Sequence, residues 1–221
     1  MSVSTGVIFD LDGVLADSRA AITSSLRAAL ESRGHVAPSE ARLTFCIGPP
    51  PFVAIGDLLG LAPDHPEVAA VVAAYRADYG PTYLDRTTAF PGITDAVAEL
   101  ATQHWIAVAT SKPYRYAMPL IERLGLAELV QHVAGPHGDK QQSSKAEEVA
   151  EAFAALNVDR AVMVGDRRFD LEGAAANGLP SIGVLWGIGD RAELTDAGAD
   201  RLIERPDQLP DAVTELLAAT A

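Results

Sequence analysis

The sequence predicts an α/β fold in which a doubly wound parallel sheet forms the core and an all-helical cap is inserted near the N-terminus. From residue 90 onward, short apolar β-rich segments alternate with amphipathic helical segments, as in a parallel sheet covered on both faces. From residue 17 to 86, the pattern is helix and turn without a convincing strand, which interrupts the alternation. We therefore expect an α/β core made of residues 1–16 and 87–221, and a helical cap made of residues 17–86.

The predicted strands are short apolar runs bounded by turns. They cover residues 7–9, 105–110, 130–134, 161–165, 181–185 and 201–203. The predicted core helices cover residues 94–103, 113–124, 145–156, 168–177 and 211–219. In the cap, an amphipathic helix spans 19–30, another begins near Ser39, and a third spans 67–79 and ends at Gly80-Pro81. Thr94 is the expected N-cap of the first core helix.

The composition limits the function. With 221 residues and a net charge of −13, the composition argues against nucleic acid and anionic membranes as partners, because both require a basic face. A phosphorylated small molecule is not excluded, since a few local cations and a metal ion can outweigh the overall charge. Cys46 is the only cysteine, so we expect no internal disulfide and a small buried apolar side chain. Without a signal-peptide pattern or an apolar run of about 18 residues, a cytoplasmic protein is expected.

The first candidate site is the stretch Gly6–Leu15, in which an apolar strand ends in two carboxylates, Asp10 and Asp12, followed by Gly13. Ligands bind at the carboxyl edge of such a sheet. Two carboxylates this close repel each other unless a cation lies between them or one stays protonated. Magnesium would keep Asp10 ionised as a nucleophile, and a protonated Asp12 could donate its proton to a leaving group. The alternative is a strand end followed by an Asp-Gly turn.

Two further groups of residues belong to the same edge of the predicted sheet. Thr110, Ser111 and Lys112 follow the second strand, where a hydroxyl and successive N–H groups can bind phosphoryl oxygens. They can also cap the next helix, and Lys112 can either support the phosphate or face solvent. Lys145 opens a helix, where its charge opposes the helix dipole and indicates an anionic neighbour. The alternative is a solvated surface lysine, and Lys140 is a weaker candidate for the same role.

Two more carboxylates follow the fourth strand of the alternating series. Asp166 comes directly after this strand, and Asp170 lies one helical turn later on the same face. Such carboxylates are hard oxygen ligands that suit magnesium. In the alternative, Asp166 is a helix N-cap and Asp170 pairs with Arg167 or Arg168.

Taken together and in order, these segments resemble the four motifs of the haloacid dehalogenase superfamily, and the helical insertion resembles its first cap type. The segments are Asp10-Leu11-Asp12-Gly13-Val14-Leu15, Thr110-Ser111-Lys112, Lys145, and Gly165-Asp166-Arg167-Arg168-Phe169-Asp170. The chain is most similar to phosphoglycolate phosphatase-like hydrolases, through Ile47-Gly48-Pro49-Pro50 and Phe90-Pro91-Gly92. Val14 departs from the usual threonine and also occurs in β-phosphoglucomutase-like members. The resemblance implies a Rossmann-like core.

The resemblance also implies a reaction: magnesium-dependent hydrolysis of a small phosphoglycolate-like phosphomonoester through an aspartyl-phosphate intermediate. Asp10 is the implied nucleophile, Asp12 the general acid and base, and Lys145 neutralises the transferring group. The implied catalytic residues are Asp10, Asp12, Thr110 and Lys145. The implied substrate-binding residues are Thr110, Ser111, Lys112, Gly48 and Pro49, although the last two also suit a helix-breaking turn. The implied metal ligands are Asp10, Asp12 through its main-chain carbonyl, Asp166 and Asp170.

Other reactions stay open. One is that of a 5'-nucleotidase acting on nucleoside monophosphates, and another is that of a β-phosphoglucomutase-like phosphomutase, which Val14 favours. A catalytically silent binding module is a further alternative, against which the intact catalytic positions argue. The expected partner is a small phosphorylated metabolite, with neither nucleic acid nor membrane, and the expected state is a monomer or homodimer.

Overall fold

The computed structural model describes residues 3–137 and 143–219, and the chain divides into two compact units. One unit contains the chain up to Ala16 and again from Ala89 onward, and the other is Asp17–Thr88. The predicted cap, residues 17–86, ends two residues before this second unit does. Lys140, the weaker candidate for an active-site lysine, lies outside the described residues.

Six of the described strands form the core sheet. In chain order, the strands are β1 (Thr5–Phe9), β2 (Ala16–Asp17), β3 (Thr88–Ala89), β4 (Trp105–Ala109), β5 (Val130–Ala134), β6 (Arg160–Gly165), β7 (Ser181–Val184) and β8 (Arg201–Ile203). The core sheet has the order β5-β4-β1-β6-β7-β8 with parallel pairing, and β2 pairs with β3 separately. The chain therefore winds outward from β1 in both directions, which confirms the predicted doubly wound, Rossmann-like sheet. Its topological switch point lies between β1 and β6.

Helices follow the strands of the core and make up the second unit. In the second unit they are α1 (Arg19–Ser32), α2 (Glu40–Thr44), α3 (Pro51–Leu59) and α4 (Pro66–Thr82). In the core they are α5 (Ile93–Leu100), α6 (Tyr114–Arg123), α7 (Lys145–Leu156), α8 (Arg168–Ala176), α9 (Arg191–Asp196) and α10 (Leu209–Ala219), the last preceded by a 3₁₀ turn at Pro206–Gln208. Among the described residues, no helix is both long enough and apolar enough to span a membrane.

The central strands are buried on both faces, which explains why they are apolar without alternation. Val7, Ile8 and Phe9 of β1 are each 0% exposed. Small residues on the strands let α7 pack closely against the sheet: a Cβ on Gly6 would lie 2.7 Å from Leu156 Cδ1. This close packing places the C-terminal end of α7 against the beginning of β1.

The predicted end of the third cap helix at Gly80-Pro81 is wrong, because α4 continues to Thr82. A proline interrupts a helix through its missing N–H and its ring, but here the ladder continues beyond it. The Tyr83 N–H donates to the Tyr79 carbonyl at 2.9 Å, and the two buried tyrosine rings stack with centroids 5.0 Å apart. This packing holds the last turn despite Pro81.

One other expectation about helices fails, and one helix was not predicted. Thr94 is not the N-cap of α5, because Gly92, with φ +81°, occupies that position and α5 begins at Ile93. The pattern did not predict α9, which is only six residues long. Its start is fixed by Asp190, whose carboxylate accepts a hydrogen bond of 2.8 Å from the Glu193 N–H.

The buried centre of the sheet leads to a stability prediction. We expect Ile8→Ala to lower the free energy of unfolding by about 2–5 kcal/mol, because it removes buried methylene groups and leaves a cavity. Urea denaturation measures this change. Val36→Ala is the control, since Val36 is 95% exposed and its truncation should stay within about 0.5 kcal/mol of the unaltered chain. Equal effects of the two changes would contradict the central position of β1.

Candidate active site

The core sheet brings the predicted site residues to one edge. Asp10 follows β1, Thr110 follows β4, and Asp166 follows β6, while Lys145 is the first residue of α7. Because these strands are parallel, their carboxyl ends point the same way. Asp10 and Asp166 flank the switch point between β1 and β6, where a ligand crevice is expected in this topology.

Lys145 lies at the centre of this group. Its Nζ donates hydrogen bonds to Asp10 Oδ1 at 2.8 Å and to the Ala109 carbonyl at 3.0 Å. It also lies 3.1 Å from Asp170 Oδ1 and 3.6 Å from Glu148 Oε2. The side chain is 8% exposed, which excludes the solvated-surface alternative. The anionic neighbours indicated by its position at a helix N-terminus are therefore present.

The start of α7 is set by its own sequence. Ser144 is the N-cap, and its hydroxyl accepts from the Glu147 N–H while the Glu147 carboxylate accepts from the Ser144 N–H at 2.8 Å. This reciprocal capping box stabilises the first turn, where Lys145 would otherwise be unfavourable. A Cβ on Gly173 of α8 would lie 2.8 Å from Lys145 Cγ, so close helix packing also confines the lysine stem.

The site has an excess of buried negative charge. Burial raises the pKa of Asp10 to about 7, with the Asp170 and Asp12 carboxylates adding to the effect and Lys145 opposing it. Burial also raises the pKa of Asp166, again with Asp170 and Asp10 contributing. Burial alone would lower the pKa of Lys145, but the neighbouring carboxylates raise it above its ordinary value. The group is thus arranged to favour cations.

Three carboxylates of this group converge. Oxygen atoms of Asp10, Asp166 and Asp170 lie within 4.8 Å of one another, and all three residues are buried. Asp170 Oδ2 accepts from the Arg167 N–H at 3.0 Å, while the Arg167 Nε lies 2.8 Å from Glu193. The N-cap of α8 is Arg167 rather than Asp166. The alternative of a capping Asp166 and an Asp170 paired with an arginine side chain therefore does not describe the contacts that α8 makes.

The surroundings of Asp166 fit a metal ligand. Its Oδ2 accepts from the Ile188 N–H at 2.7 Å, whereas its Oδ1 is buried and has no hydrogen-bond partner among the described residues. Gly13, with φ +99°, and Gly187 both face this carboxylate, and a Cβ on either would overlap it. A buried carboxylate oxygen without a partner is costly unless something binds it. Mg²⁺, which takes one or two carboxylates and keeps several waters, suits this donor set.

The Thr110–Lys112 turn forms another side of the site. Thr110 is buried, and its Oγ1 accepts from the Lys112 N–H at 3.2 Å. The Ser111 hydroxyl lies 3.4 Å from Glu148 Oε2. Lys112 does not face solvent, because its Nζ is buried 2.7 Å from Asp12 Oδ2. The Asp12 side chain is thus oriented toward Lys112 and is not part of the three-carboxylate group.

The segment after Asp12 is held mainly through its backbone. The Gly13 N–H donates to the Ala16 carbonyl at 2.9 Å, and the Trp186 indole donates to the Val14 carbonyl at 3.1 Å. The Val14 side chain is fully buried. Its main-chain carbonyl is hydrogen-bonded to the loop after β7.

Several residues of the site were not predicted from the sequence. They are Glu148, Trp186, Gly187 and Ile188. The available signal for the last three was a glycine-containing turn directly after β7, at the same edge of the sheet as the predicted acids. Glu148 gave a weaker signal, since an acid three residues after a lysine is common on solvated helices.

Gly48 and Pro49 belong to the second unit, in the turn before α3. Gly48 has φ +107°, and Pro49 lines a cavity of about 440 Å³ within that unit, together with Cys46. Cys46 is only half-buried, so the expectation of a buried side chain is wrong. It lies in the turn after the short helix α2, where its Sγ contacts the Arg42 carbonyl at 3.5 Å. The substrate-binding role of Gly48 and Pro49 stays a prediction.

Known proteins resemble this chain along most of its length. The model of the family described as haloacid dehalogenase-like hydrolase matches residues 7–184. The tyrosine-protein kinase PtkA of Mycobacterium tuberculosis is 38% identical over 193 residues, which are 86% of this chain and 65% of that protein. This chain therefore spans slightly less than two thirds of the length of that relative.

Other relatives are matched almost end to end. A phosphoglycolate phosphatase of Cereibacter sphaeroides is 31% identical over 218 residues, 96% of this chain and 99% of that protein. A 5'-nucleotidase of Pseudomonas aeruginosa is 33% identical over 191 residues, 85% of this chain and 86% of that protein. The crystal structure of a predicted phosphatase from Clostridium acetobutylicum superposes with a TM-score of 0.90 at 30% identity, covering 97% of this chain and 100% of that one.

The glycine that faces Asp166 gives a second prediction. We expect Gly13→Ala to lower the free energy of unfolding by about 2–5 kcal/mol, because alanine is strained at φ +99° and its Cβ overlaps the Asp166 carboxylate. Gly198→Ala is the matched control: Gly198 has φ +82° in the same unit, with no atom near the added Cβ. It should cost only the conformational strain, about 1–2 kcal/mol. Equal losses in urea denaturation would show that Gly13 does not confine Asp166.

Proposed function

We propose that this chain, which belongs to the haloacid dehalogenase-like hydrolase family, is a Mg²⁺-dependent phosphatase acting on a small phosphomonoester. The observation that carries the proposal is the contact between Lys145 and Asp10 beside two further buried carboxylates, Asp166 and Asp170. A nucleophilic carboxylate, a fixed cation and a divalent-metal site are what phosphoryl transfer requires, since its catalysis is mainly positioning and charge neutralisation.

In the proposed reaction, Asp10 attacks phosphorus and forms an aspartyl-phosphate. Lys145 holds the Asp10 carboxylate in place through its 2.8 Å contact and neutralises the transferring group. Thr110 and the neighbouring N–H groups bind the phosphoryl oxygens, with Ser111 next to them. Asp12 donates a proton to the departing alcohol and then removes one from the water that hydrolyses the intermediate.

Mg²⁺ would be held by Asp10 and Asp166, with the main-chain carbonyl of Asp12 as a further ligand and Asp170 ordering its surroundings. When bound, it would neutralise negative charge on the phosphoryl group. The raised pKa of Asp10 and of Asp166 supports this assignment, because burial, together with the neighbouring carboxylates, disfavours the ionised forms that a bound cation would stabilise. The unpartnered Asp166 Oδ1 provides a ligand atom.

The proposed substrate is a small phosphorylated metabolite of the phosphoglycolate type. The support is the match to a phosphoglycolate phosphatase over 96% of this chain. A nucleoside monophosphate is the alternative substrate, which the similarity to a 5'-nucleotidase favours. Transfer to an acceptor other than water is the second candidate function, because the kinase relative is 38% identical. A phosphomutase reaction, a cytoplasmic location and a monomeric or homodimeric state likewise stay predictions.

Replacing the nucleophile tests the reaction. We expect Asp10→Asn to abolish phosphate release from 2-phosphoglycolate and from nucleoside monophosphates in the presence of Mg²⁺, because an amide cannot form the acyl-phosphate. Asp95→Asn, a change of an exposed acid on α5, should leave the rate unchanged. Phosphate release that persists in Asp10→Asn would refute the assignment. Phosphate that leaves the substrate and appears on an alcohol or a tyrosine, rather than in solution, would support the second candidate function.

Metal binding has a readout that does not depend on activity. At a Mg²⁺ concentration 100-fold above its dissociation constant, we expect the folded state to gain about 2.7 kcal/mol, seen as a rise of several degrees in Tm. The rise should be lost in Asp166→Asn, because that change removes an unpartnered ligand oxygen. An equal rise in both proteins would place the metal elsewhere.

A further inference from the structure

Lys112 is a lysine in an environment that lysines normally avoid. Its side chain is 5% exposed, and its Nζ lies 2.7 Å from Asp12 Oδ2. The Asp12 side chain is itself only 12% exposed. Burying such a pair is costly, and a buried ion pair is weak evidence for stability. The pair has a more direct effect on geometry than on stability, because the Lys112 ammonium determines where one oxygen of the Asp12 carboxylate lies.

The lysines of this chain are few. The sequence has three, at positions 112, 140 and 145, against fourteen arginines. The two lysines within the described residues both contact an aspartate of the Asp10–Asp12 segment. An ammonium is a compact charge that can bind one carboxylate oxygen, whereas a guanidinium favours a fork across both. A lysine at position 112 can thus hold one oxygen of Asp12 and leave the other outside the ion pair.

The two oxygens of Asp12 are in fact unequal. Oδ2 contacts Lys112, whereas Oδ1 is buried and has no hydrogen-bond partner among the described residues. We infer that Lys112 is a positioning residue that holds Oδ2 of Asp12, so that Oδ1 is the atom that exchanges the proton in both halves of the reaction. The inference rests on the proposed phosphatase function.

The backbone around Lys112 is itself fixed. Its N–H donates to Thr110 Oγ1 at 3.2 Å, which closes the turn after β4. On the other side, Gly135 follows β5 closely enough that a Cβ there would lie 2.8 Å from the Thr110 carbonyl oxygen and 3.0 Å from that of Lys112. The turn that carries the lysine is therefore held between two strand ends, which gives the ammonium a defined location beside Asp12.

The proton balance of the reaction shows what this placement does. In the first transfer, the bond from Asp10 to phosphorus forms, the bond from phosphorus to the alcohol oxygen breaks, and that oxygen takes the proton from Asp12 Oδ1. In the second, water attacks phosphorus, its proton goes to Asp12 Oδ1, and the bond to Asp10 breaks to release inorganic phosphate. Without Lys112 the carboxylate can rotate, since such terminal torsions are broad. A misplaced reacting group typically costs about 10²-fold in rate.

Kinetics with two leaving groups test the inference. For Lys112→Met, we expect kcat/KM to fall about 10²-fold with an alkyl phosphomonoester, 2-phosphoglycolate, whose alcohol needs a proton to depart. With p-nitrophenyl phosphate, whose leaving group departs as the anion, the fall should be at least about tenfold smaller. Asp12→Asn should show the same contrast, and adding Lys112→Met to it should cause little further loss with the alkyl substrate. Equal losses on both substrates would indicate a general packing defect and overturn the inference.

A spectroscopic measurement separates this inference from the proposed function. Because the chain has only three lysines, a protein labelled with ¹⁵N-lysine gives few Nζ signals, and the one that disappears in Lys112→Met belongs to Lys112. In Asp12→Asn we expect this signal to shift and its protons to exchange faster with water, while that of Lys145 stays in place. An unchanged Lys112 signal would overturn the pairing. A shifted signal in a protein that hydrolyses neither substrate would refute the phosphatase function instead, and the pair would remain.

Discussion

The arrangement of this core depends on burying several carboxylates at one edge of a sheet and compensating them with two lysines. Asp10 and Asp12 each contact a different buried lysine, at 2.8 and 2.7 Å. Asp166 and Asp170 add further carboxylates, and the pKa of Asp166 is raised by its burial, with Asp170 and Asp10 adding to the effect. Such a group opposes folding, since each charge loses its hydration. The apolar strands β1, β4 and β6, which are buried beyond their first residues, provide the opposing stabilisation.

Parallel topology makes this concentration of charge possible. Asp10 and Lys145 are 135 residues apart in the sequence, yet their side chains are in contact because β1 lies in the middle of the sheet and every neighbouring strand runs the same way. The strands β1, β4 and β6 each contribute the residue that follows them, Asp10, Thr110 and Asp166. The site is thereby built from positions whose backbone is fixed by the sheet, which limits how far the charged groups can move apart when they repel each other.

The sequence predicted the parts of the molecule in which local pattern and tertiary structure agree. The apolar runs of β1, β4 and β6 and the capped helix α7 are such parts, and the acids and lysine at their ends follow from them. The loop after β7 gives no comparable signal, because Ile188 acts through its main-chain N–H and Gly187 through the absence of a side chain. The short helix α9 and the extension of α4 past Pro81 depend on caps and ring packing that local propensity does not contain.

The residues at the sheet edge support a proposal for how a phosphoryl group is transferred, but they say less about which molecule receives it. In the proposed reaction, attack by Asp10, neutralisation by Lys145 and placement of Asp12 are needed whether the acceptor is water, a sugar hydroxyl or a tyrosine. The named relatives include a kinase, a nucleotidase and a phosphoglycolate phosphatase, at identities between 31% and 38%. Because the first half of the proposed reaction makes the same demands in every case, we expect groups that control access to the proposed aspartyl-phosphate to select the acceptor. Residues that vary around a shared charged centre, rather than the centre itself, are therefore the place to seek specificity.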